Sequence, residues 1–113
     1  MYNIELIVLK ECPFCIAAQE LLKNRNIKYK IIIVNQNNKD KYKNDEIQTF
    51  PQIYLIKKNS NGKLLLGGYT DLKRALEILE HKNLDKTIKD FQKYYPNWSK
   101  KAILRLAEII LKK

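Results

Sequence analysis

Cys12-Pro13-Phe14-Cys15 indicates the architecture of the chain, because it joins a β-rich run at residues 2–9 to a segment of helical spacing that ends near Arg25. The run before it, Tyr-Asn-Ile-Glu-Leu-Ile-Val-Leu, alternates at first and then becomes continuously apolar, which is typical of a buried strand. Residues 29–34 are rich in β-branched side chains and predict a second buried strand. Strand, helix and strand in this order predict a parallel, right-handed βαβ unit.

The pattern further along the chain predicts a mixed sheet flanked by helices. A short helix is expected around residues 39–46, and residues 52–57 and 63–66 read as two strands joined by an Asn-Gly turn at residues 59–62. A further helix opens at residues 67–71, and its predicted inward face is Leu72, Leu76 and Leu79. The order β-α-β-α-β-β-α gives an α/β fold with a four-stranded mixed sheet.

Residues 83–113 read as a C-terminal helical extension beyond a first unit of residues 1–82. A helix from Asp85 to Tyr95 is expected to end at Pro96. Ser99 then caps a second helix, whose predicted apolar face is Ala102, Ile103, Leu106, Ile110 and Leu111.

An apolar helix stripe usually belongs to a core, so we expect the extension to dock on its own domain. Trp98 and the pair Tyr94 and Tyr95 are expected to fill the seam. Dimerisation or binding of a protein partner is the main alternative. A membrane surface is the weaker one, because no second anchoring signal accompanies the basic helix.

Composition limits the classes of protein. With 113 residues, 45% of them apolar, the chain is expected to form one folded domain. Lys and Arg number 22 against 12 acids, but 19 of the cations are Lys and the excess is equal over residues 1–82 and 83–113. No basic stripe therefore indicates a nucleic acid as ligand. No membrane span or signal peptide is recognised, and we expect a cytoplasmic protein.

The two cysteines admit three kinds of site. A zinc centre needs four ligands, and the chain offers Cys12, Cys15 and one histidine, His81, so no metal is expected. Two buried thiols that serve as small apolar residues are the second alternative. The position of the pair between a strand and a helix favours the third, a thiol–disulfide redox pair.

The place of each cysteine on the predicted helix indicates its role. Cys12 lies at the helix N-terminus, where free N–H groups and the positive end of the helix dipole stabilise a thiolate, and Lys10 adds a nearby cation. Pro13 suits the first helical turn, where its missing N–H costs nothing. Cys15 lies one turn further on, within reach for a disulfide. We expect Cys12 to attack a substrate and Cys15 to resolve the mixed disulfide.

Three segments follow one another along the chain: Cys12-Pro13-Phe14-Cys15, Thr49-Phe50-Pro51-Gln52-Ile53 and Gly67-Gly68-Tyr69-Thr70-Asp71-Leu72. Together they resemble the glutaredoxin family of the thioredoxin fold, over about residues 3–82. Thioredoxins proper carry Gly-Pro between their cysteines and lack the double-glycine segment, so glutaredoxins are the closer match. The resemblance implies a thioredoxin-like fold.

The resemblance also implies a glutathione site beside the cysteines. Pro51 corresponds to the family's cis-proline, which faces the cysteines and presents the backbone of Phe50, next to Thr49, to the cysteine of glutathione as a strand edge. Phe14 replaces a common tyrosine and keeps an aromatic wall. Lys10 corresponds to the basic residue that reaches the glycine carboxylate, although it lies one position closer to Cys12 than usual.

The double-glycine segment is expected to bind the other end of glutathione. Gly68 lets the backbone approach a ligand closely. Thr70 and backbone amides at the helix N-terminus would hold the γ-glutamyl carboxylate, and Asp71 the α-amino group, as the resemblance implies. The alternative is that Thr70 and Asp71 only cap the helix.

The implied function is that of a glutathione-dependent oxidoreductase for protein disulfides and glutathione mixed disulfides, with glutathione as co-substrate and no permanently bound cofactor. The expected partners are disulfide-containing or glutathionylated proteins, with ribonucleotide reductase as one candidate. One alternative is a redoxin that thioredoxin reductase recharges and that donates electrons to ribonucleotide reductase. The other is a non-enzymatic dimer that holds an iron–sulfur cluster, against which Pro13 argues because it stiffens the loop.

Overall fold

The computed structural model describes residues 2–58, 62–80 and 83–111. In this part of the chain four strands form one mixed sheet in the spatial order β2-β1-β3-β4. They are β1 (Tyr2–Leu9), β2 (Lys30–Val34), β3 (Gln52–Lys57) and β4 (Lys63–Gly67). β1 runs parallel to β2 and antiparallel to β3, and β3 pairs antiparallel with β4. The predicted α/β fold is confirmed.

The same ranges contain four α-helices close to the predicted positions. They are α1 (Pro13–Asn24), α2 (Tyr69–Leu79), α3 (Leu84–Tyr94) and α4 (Lys100–Leu111). Ser99 caps α4 as predicted, because its Oγ accepts the N–H of Ala102 at 3.1 Å. Most of the turn predicted at residues 59–62, and His81, lie outside the described residues.

The helix expected around residues 39–46 is shorter than predicted. Only a 3₁₀ turn forms, over Lys39–Tyr42. After it, the side-chain Oδ1 of Asn44 accepts the N–H groups of Glu46 at 2.8 Å and Ile47 at 3.1 Å. This local turn offers the backbone an alternative to a helical ladder, so the helix ends early.

β1 is one of the two interior strands, and its side chains alternate between two cores. Ile4, Leu6 and Val8 pack in the larger cluster, with residues of the four helices, while Ile7 lies on the opposite face of the sheet. The residues predicted to form the inward face of α2 are all buried, namely Leu72, Leu76 and Leu79.

β2 is not the buried strand that its sequence predicts. Of its residues only Val34 is buried, and the side chains of Ile31 and Ile33 are 38% and 65% exposed. The reason is the strand order, which leaves β2 at the edge of the sheet with β1 as its neighbour. A β-branched run predicts a strand, but not its place in the sheet.

The C-terminal extension shares the larger core. Phe91 of α3 and Ile103 of α4 are fully buried there, and α4 packs against β1 and α2. Trp98, 2% exposed, donates its Nε1–H to the carbonyl oxygen of Leu65 at 3.0 Å. Residues 1–82 and 83–113 therefore contribute to a common hydrophobic cluster.

Two expectations for the extension are wrong. Tyr94 does not fill the seam but is 53% exposed, because it lies at the end of α3 and places its ring against the guanidinium of Arg74, 4.7 Å away. Leu111, predicted on the buried face of α4, is 40% exposed at the last turn. Within the described ranges, no helix has the length and apolarity needed to cross a bilayer.

Candidate functional site

The strand register brings the three sequence segments to one end of the sheet. Ile7 pairs with Gln52, so the chain that leaves β1 meets the chain that enters β3. Ile53 pairs with Gly67, so the end of β4 lies at the same edge. Loops at such an edge commonly carry function, since the strands hold them in fixed positions.

Cys12 is the N-cap of α1, with backbone dihedrals outside the helical region. Its Sγ accepts the N–H of Cys15 at 3.3 Å, one of the amides that the helix leaves without an internal partner. Pro13 occupies the start of the helix, as predicted from the sequence. Cys12 is partly exposed, in contrast to Cys15.

Cys15 is the inaccessible member of the pair. It is 1% exposed, and its Sγ accepts the N–H of Leu9 at 3.4 Å. Burial raises the pKa of Cys15 to about 12, with further contributions from its hydrogen bond to Cys12 and the charge there. At neutral pH Cys15 is therefore a protonated thiol.

The loop before β3 faces Cys12. The Phe50–Pro51 peptide bond is cis, and the carbonyl oxygen of Phe50 lies 3.8 Å from Cys12 Sγ. Pro51 is buried, whereas Thr49 is exposed. The segment around Phe50 thus lies in direct contact with the sulfur that the sequence assigns to the attack.

A groove of about 680 Å³ runs between this loop and the start of α2. It is lined by Phe14, Thr49, Phe50, Pro51, Gly68, Thr70 and Asp71, which are seven of the residues predicted as site residues. Cys12 borders it through Phe50. Lys10 is exposed and is not among the described residues that line the groove; its backbone N–H donates to Val34.

Six lining residues were not predicted as site residues: Glu46, Ile47, Leu65, Leu66, Gly67 and Tyr69. Tyr69 stands between Gly68 and Thr70, and its ring centroid lies 6.0 Å from that of Phe14, which is itself 62% exposed. Its position directly after the two glycines is a sequence signal from which Tyr69 could have been predicted as a groove residue. No local pattern marks Glu46 and Ile47, which reach the groove through the turn at Asn44.

Gly67 and Asp71 fix the shape of the groove's far end. Gly67 has φ +134°, and a Cβ there would stand 2.1 Å from Oδ2 of Asp71. That oxygen accepts the N–H of Gly68 at 3.0 Å. A glycine at position 67 is therefore needed for both the backbone conformation and the position of the carboxylate.

The other oxygen of Asp71 contacts the C-terminal extension. Asp71 Oδ1 accepts the hydroxyl hydrogen of Tyr95 at 2.9 Å, and Nη1 of Arg74 lies 3.4 Å away. Burial, followed by the hydrogen bond to Asp71, raises the pKa of Tyr95 to about 12. Sequence reasoning placed Tyr95 in the seam and missed this contact, which spans 24 positions of the chain.

A family model described as Glutaredoxin matches residues 4–59. Among solved structures, the chain is similar to the crystal structure of glutaredoxin 1 from Francisella tularensis complexed with cacodylate, with 22% sequence identity and a TM-score of 0.56. The likeness covers 68% of this chain and 94% of that chain, and it supports the fold. A comparison with curated protein sequences finds no match.

Proposed function

The chain belongs to the glutaredoxin family of thiol–disulfide oxidoreductases, and we propose that it uses glutathione to reduce protein disulfides and glutathione mixed disulfides. The observation that carries this proposal is the asymmetry of the cysteines. Cys12 is accessible at the N-terminus of α1 beside a groove, and Cys15 is buried one turn further on. This asymmetry supports attack by Cys12 and resolution by Cys15.

Reduction of a glutathione mixed disulfide needs only Cys12. Its thiolate attacks the glutathione sulfur, the bond between that sulfur and the substrate's sulfur breaks, and the substrate leaves as a thiolate that takes up a proton. A second glutathione thiolate then attacks the glutathione sulfur on Cys12. Glutathione disulfide leaves and the Cys12 thiolate returns, so each turnover consumes one free glutathione, and the other half of the glutathione disulfide comes from the substrate.

Reduction of a protein disulfide also needs Cys15. After Cys12 has formed a mixed disulfide with the protein, Cys15 loses its proton and attacks Cys12 Sγ. The substrate's second sulfur leaves as a thiolate, takes up a proton, and the Cys12–Cys15 disulfide forms. Two glutathiones reduce this disulfide in turn, the first through a mixed disulfide with Cys12 and the second by releasing glutathione disulfide.

The order of these events follows from the charges on the pair. A negative charge on Cys12 contributes to the raised pKa of Cys15, although burial contributes most. When Cys12 is held in a mixed disulfide it carries no charge, so this contribution disappears. The N–H of Leu9, 3.4 Å from Cys15 Sγ, stabilises the thiolate that then forms. Cys15 therefore becomes easier to ionise only after Cys12 has reacted.

The groove offers a fitting place for glutathione. The cysteine of glutathione would pair with the backbone of Phe50, whose carbonyl oxygen lies 3.8 Å from Cys12 Sγ. The γ-glutamyl carboxylate would lie at the N-terminus of α2 near Gly68 and Thr70, where the dipole favours an anion. Asp71 presents a carboxylate to the α-amino group from the same end of the groove.

The proposed substrates are disulfide-containing or glutathionylated proteins in the reducing cytoplasm, and a ribonucleotide reductase is one candidate. Phe14 and Lys10, two positions from Cys12 along the chain, have exposed side chains that such a protein could contact. The proposal requires no permanently bound cofactor, because glutathione supplies the electrons.

Two coupled assays on the same glutathionylated peptide test the proposal. One contains glutathione, glutathione reductase and NADPH, and the other thioredoxin reductase and NADPH alone. We expect NADPH consumption in the first only, and none with Cys12→Ser in either. Turnover only with thioredoxin reductase would support a redoxin instead. Visible absorbance after purification without oxygen would support a cluster-holding dimer.

A further inference from the structure

Asp71 is held on both of its carboxylate oxygens. Oδ2 accepts the N–H of Gly68 at 3.0 Å, and Oδ1 accepts the hydroxyl of Tyr95 at 2.9 Å. The Tyr95 hydroxyl also lies 3.2 Å from the backbone oxygen of Asp71, but the shorter distance and the carboxylate charge favour donation to Oδ1. Each oxygen of the carboxylate thus has a donor from a different part of the chain.

Tyr95 is in turn held by the hydrophobic core. Its ring lies 4.9 Å, centroid to centroid, from the fully buried ring of Phe91, and its N–H donates to the carbonyl oxygen of Phe91 at 2.9 Å. Its own carbonyl oxygen accepts the N–H of Trp98 at 3.0 Å. Backbone and ring are both fixed, so the hydroxyl is delivered to Asp71 by a rigid support.

Arg74 is the other charged group near this carboxylate. Its Nη1 lies 3.4 Å from Asp71 Oδ1, and its guanidinium rests on the exposed ring of Tyr94 at 4.7 Å. The side chain is 37% exposed, so solvent screens its charge. Tyr95, which is neutral, orients Asp71 without cancelling the negative charge that an ammonium group needs.

We infer that Tyr95 is a positioning residue for Asp71, and that the C-terminal extension thereby sets the selectivity of the groove for ligands with an α-amino group. The inference rests on the proposed use of glutathione. Asp71 lines the groove and is 34% exposed, and Oδ2, which accepts only the N–H of Gly68, offers its second lone pair to an ammonium group while the side chain keeps this rotamer. Without the hydroxyl of Tyr95, the carboxylate keeps Gly68 and the half-exposed Arg74 as partners but loses its donor from the core, so part of its ordering has to take place when the ligand binds.

A single-turnover reaction tests this without any recycling enzyme. Reduced protein is mixed with a short peptide joined by a disulfide to glutathione, and separately with the same peptide joined to glutaryl-cysteinyl-glycine, which lacks only the α-amino group. The release of peptide thiol over a range of substrate concentrations gives a limiting rate and a half-saturation concentration for each.

For Tyr95→Phe we expect the half-saturation concentration of the glutathione substrate to rise about three- to tenfold, with a limiting rate within about twofold of the wild-type rate. For the substrate without the amino group, the half-saturation concentration and the limiting rate should both stay within about twofold of the wild-type values. Tyr94→Phe is the matched control, because this variant loses a hydroxyl but keeps an aromatic ring against Arg74. It should behave as the wild type. In an Asp71→Asn background, Tyr95→Phe should have no further effect.

The two proposals fail in different ways. A wild-type protein that does not discriminate between the two substrates would contradict the proposed amine site itself. If the wild type discriminates but Tyr95→Phe has the same half-saturation concentrations, the positioning role alone is overturned. The same holds if Tyr95→Phe binds both substrates more weakly to an equal extent. The ratio of the half-saturation concentrations of the two substrates, measured on one preparation, does not depend on the fraction of folded protein. In a second variant, 3-fluorotyrosine at position 95 should donate a stronger hydrogen bond to Asp71 and increase the preference for the substrate that carries the amino group.

Discussion

The backbone N–H of Cys15 points at the sulfur of Cys12 across 3.3 Å, so the helix that carries the buried thiol also stabilises the exposed one. A serine at position 12 keeps the cap but removes the nucleophile. We therefore expect Cys12→Ser to abolish turnover of both substrate classes. Cys15→Ser should retain reduction of glutathione mixed disulfides and lose reduction of protein disulfides. A coupled assay with each substrate measures this, and full activity of Cys12→Ser would refute the assigned roles.

The two thiols should differ sharply in their reaction with iodoacetamide. Cys15 is 1% exposed and its pKa is raised to about 12, so it stays protonated and shielded in the native protein. At pH 8, mass spectrometry should find one added group, on Cys12, and a second only after denaturation. Cys12→Ser provides the control and should remain unlabelled while folded. Labelling of both sites in the native protein would contradict this.

The stability of the reduced protein should fall in alkaline solution. The thiol of Cys15 has its ordinary pKa of 9.0 in the unfolded chain, whereas burial raises that pKa to about 12 in the native one. Between these pH values the unfolded state binds fewer protons, so the free energy of unfolding decreases as pH rises. Tyr95, with a pKa raised from 10.0 to about 12, adds to the decrease above pH 10.

Urea titrations under reducing conditions at several pH values measure this decrease. Cys15→Ala should show a shallower decline over the same range, and Tyr95→Phe should be shallower only in its upper part. Equal slopes for the wild type and both variants would show that neither group drives the effect.

Gly67→Ala should destabilise the protein and displace Asp71. A Cβ at position 67 would stand 2.1 Å from Asp71 Oδ2, and φ +134° is unfavourable for any side chain. The cost of such a backbone conformation is on the order of 1–3 kcal/mol, measured as a loss in the free energy of unfolding. Gly68→Ala is the control, because its Cβ would meet the Pro51 carbonyl oxygen at an ordinary 3.6 Å. A larger loss for Gly68→Ala would contradict this.

On the face of the sheet opposite the larger core, a buried carboxylate pairs with a lysine, and we expect the removal of each partner to change stability by a different amount. Glu5 is 3% exposed, and its Oε1 accepts from Lys63 Nζ at 2.7 Å. Removing the lysine leaves Glu5 without this partner, so Lys63→Met should cost about 1–3 kcal/mol of stability. Glu5→Gln should cost less, because the half-exposed lysine can be solvated. Chemical denaturation measures both, and the reverse order would refute the reasoning.

Local signals account for much of the fold and for the cysteine pair. The β-rich runs, the proline at the start of α1 and the Ser99 cap each act within a few residues, so the sequence alone predicts them. The place of β2 at the sheet edge depends on how strands pair across the whole molecule, and its β-branched run does not encode it. The contact between Tyr95 and Asp71 is likewise invisible to any local pattern, because only the packing of Phe91 and Trp98 brings the two together.

The chain's single tryptophan is also its built-in optical probe. Trp98 is shielded from water, with its indole ring 5.2 Å from that of Phe91 and its N–H bonded to the carbonyl of Leu65. Lifting the extension off the sheet would move this indole into water and shift its emission to longer wavelengths. Intrinsic fluorescence can therefore follow the seating of the last two helices in real time, without a dye and without any redox chemistry.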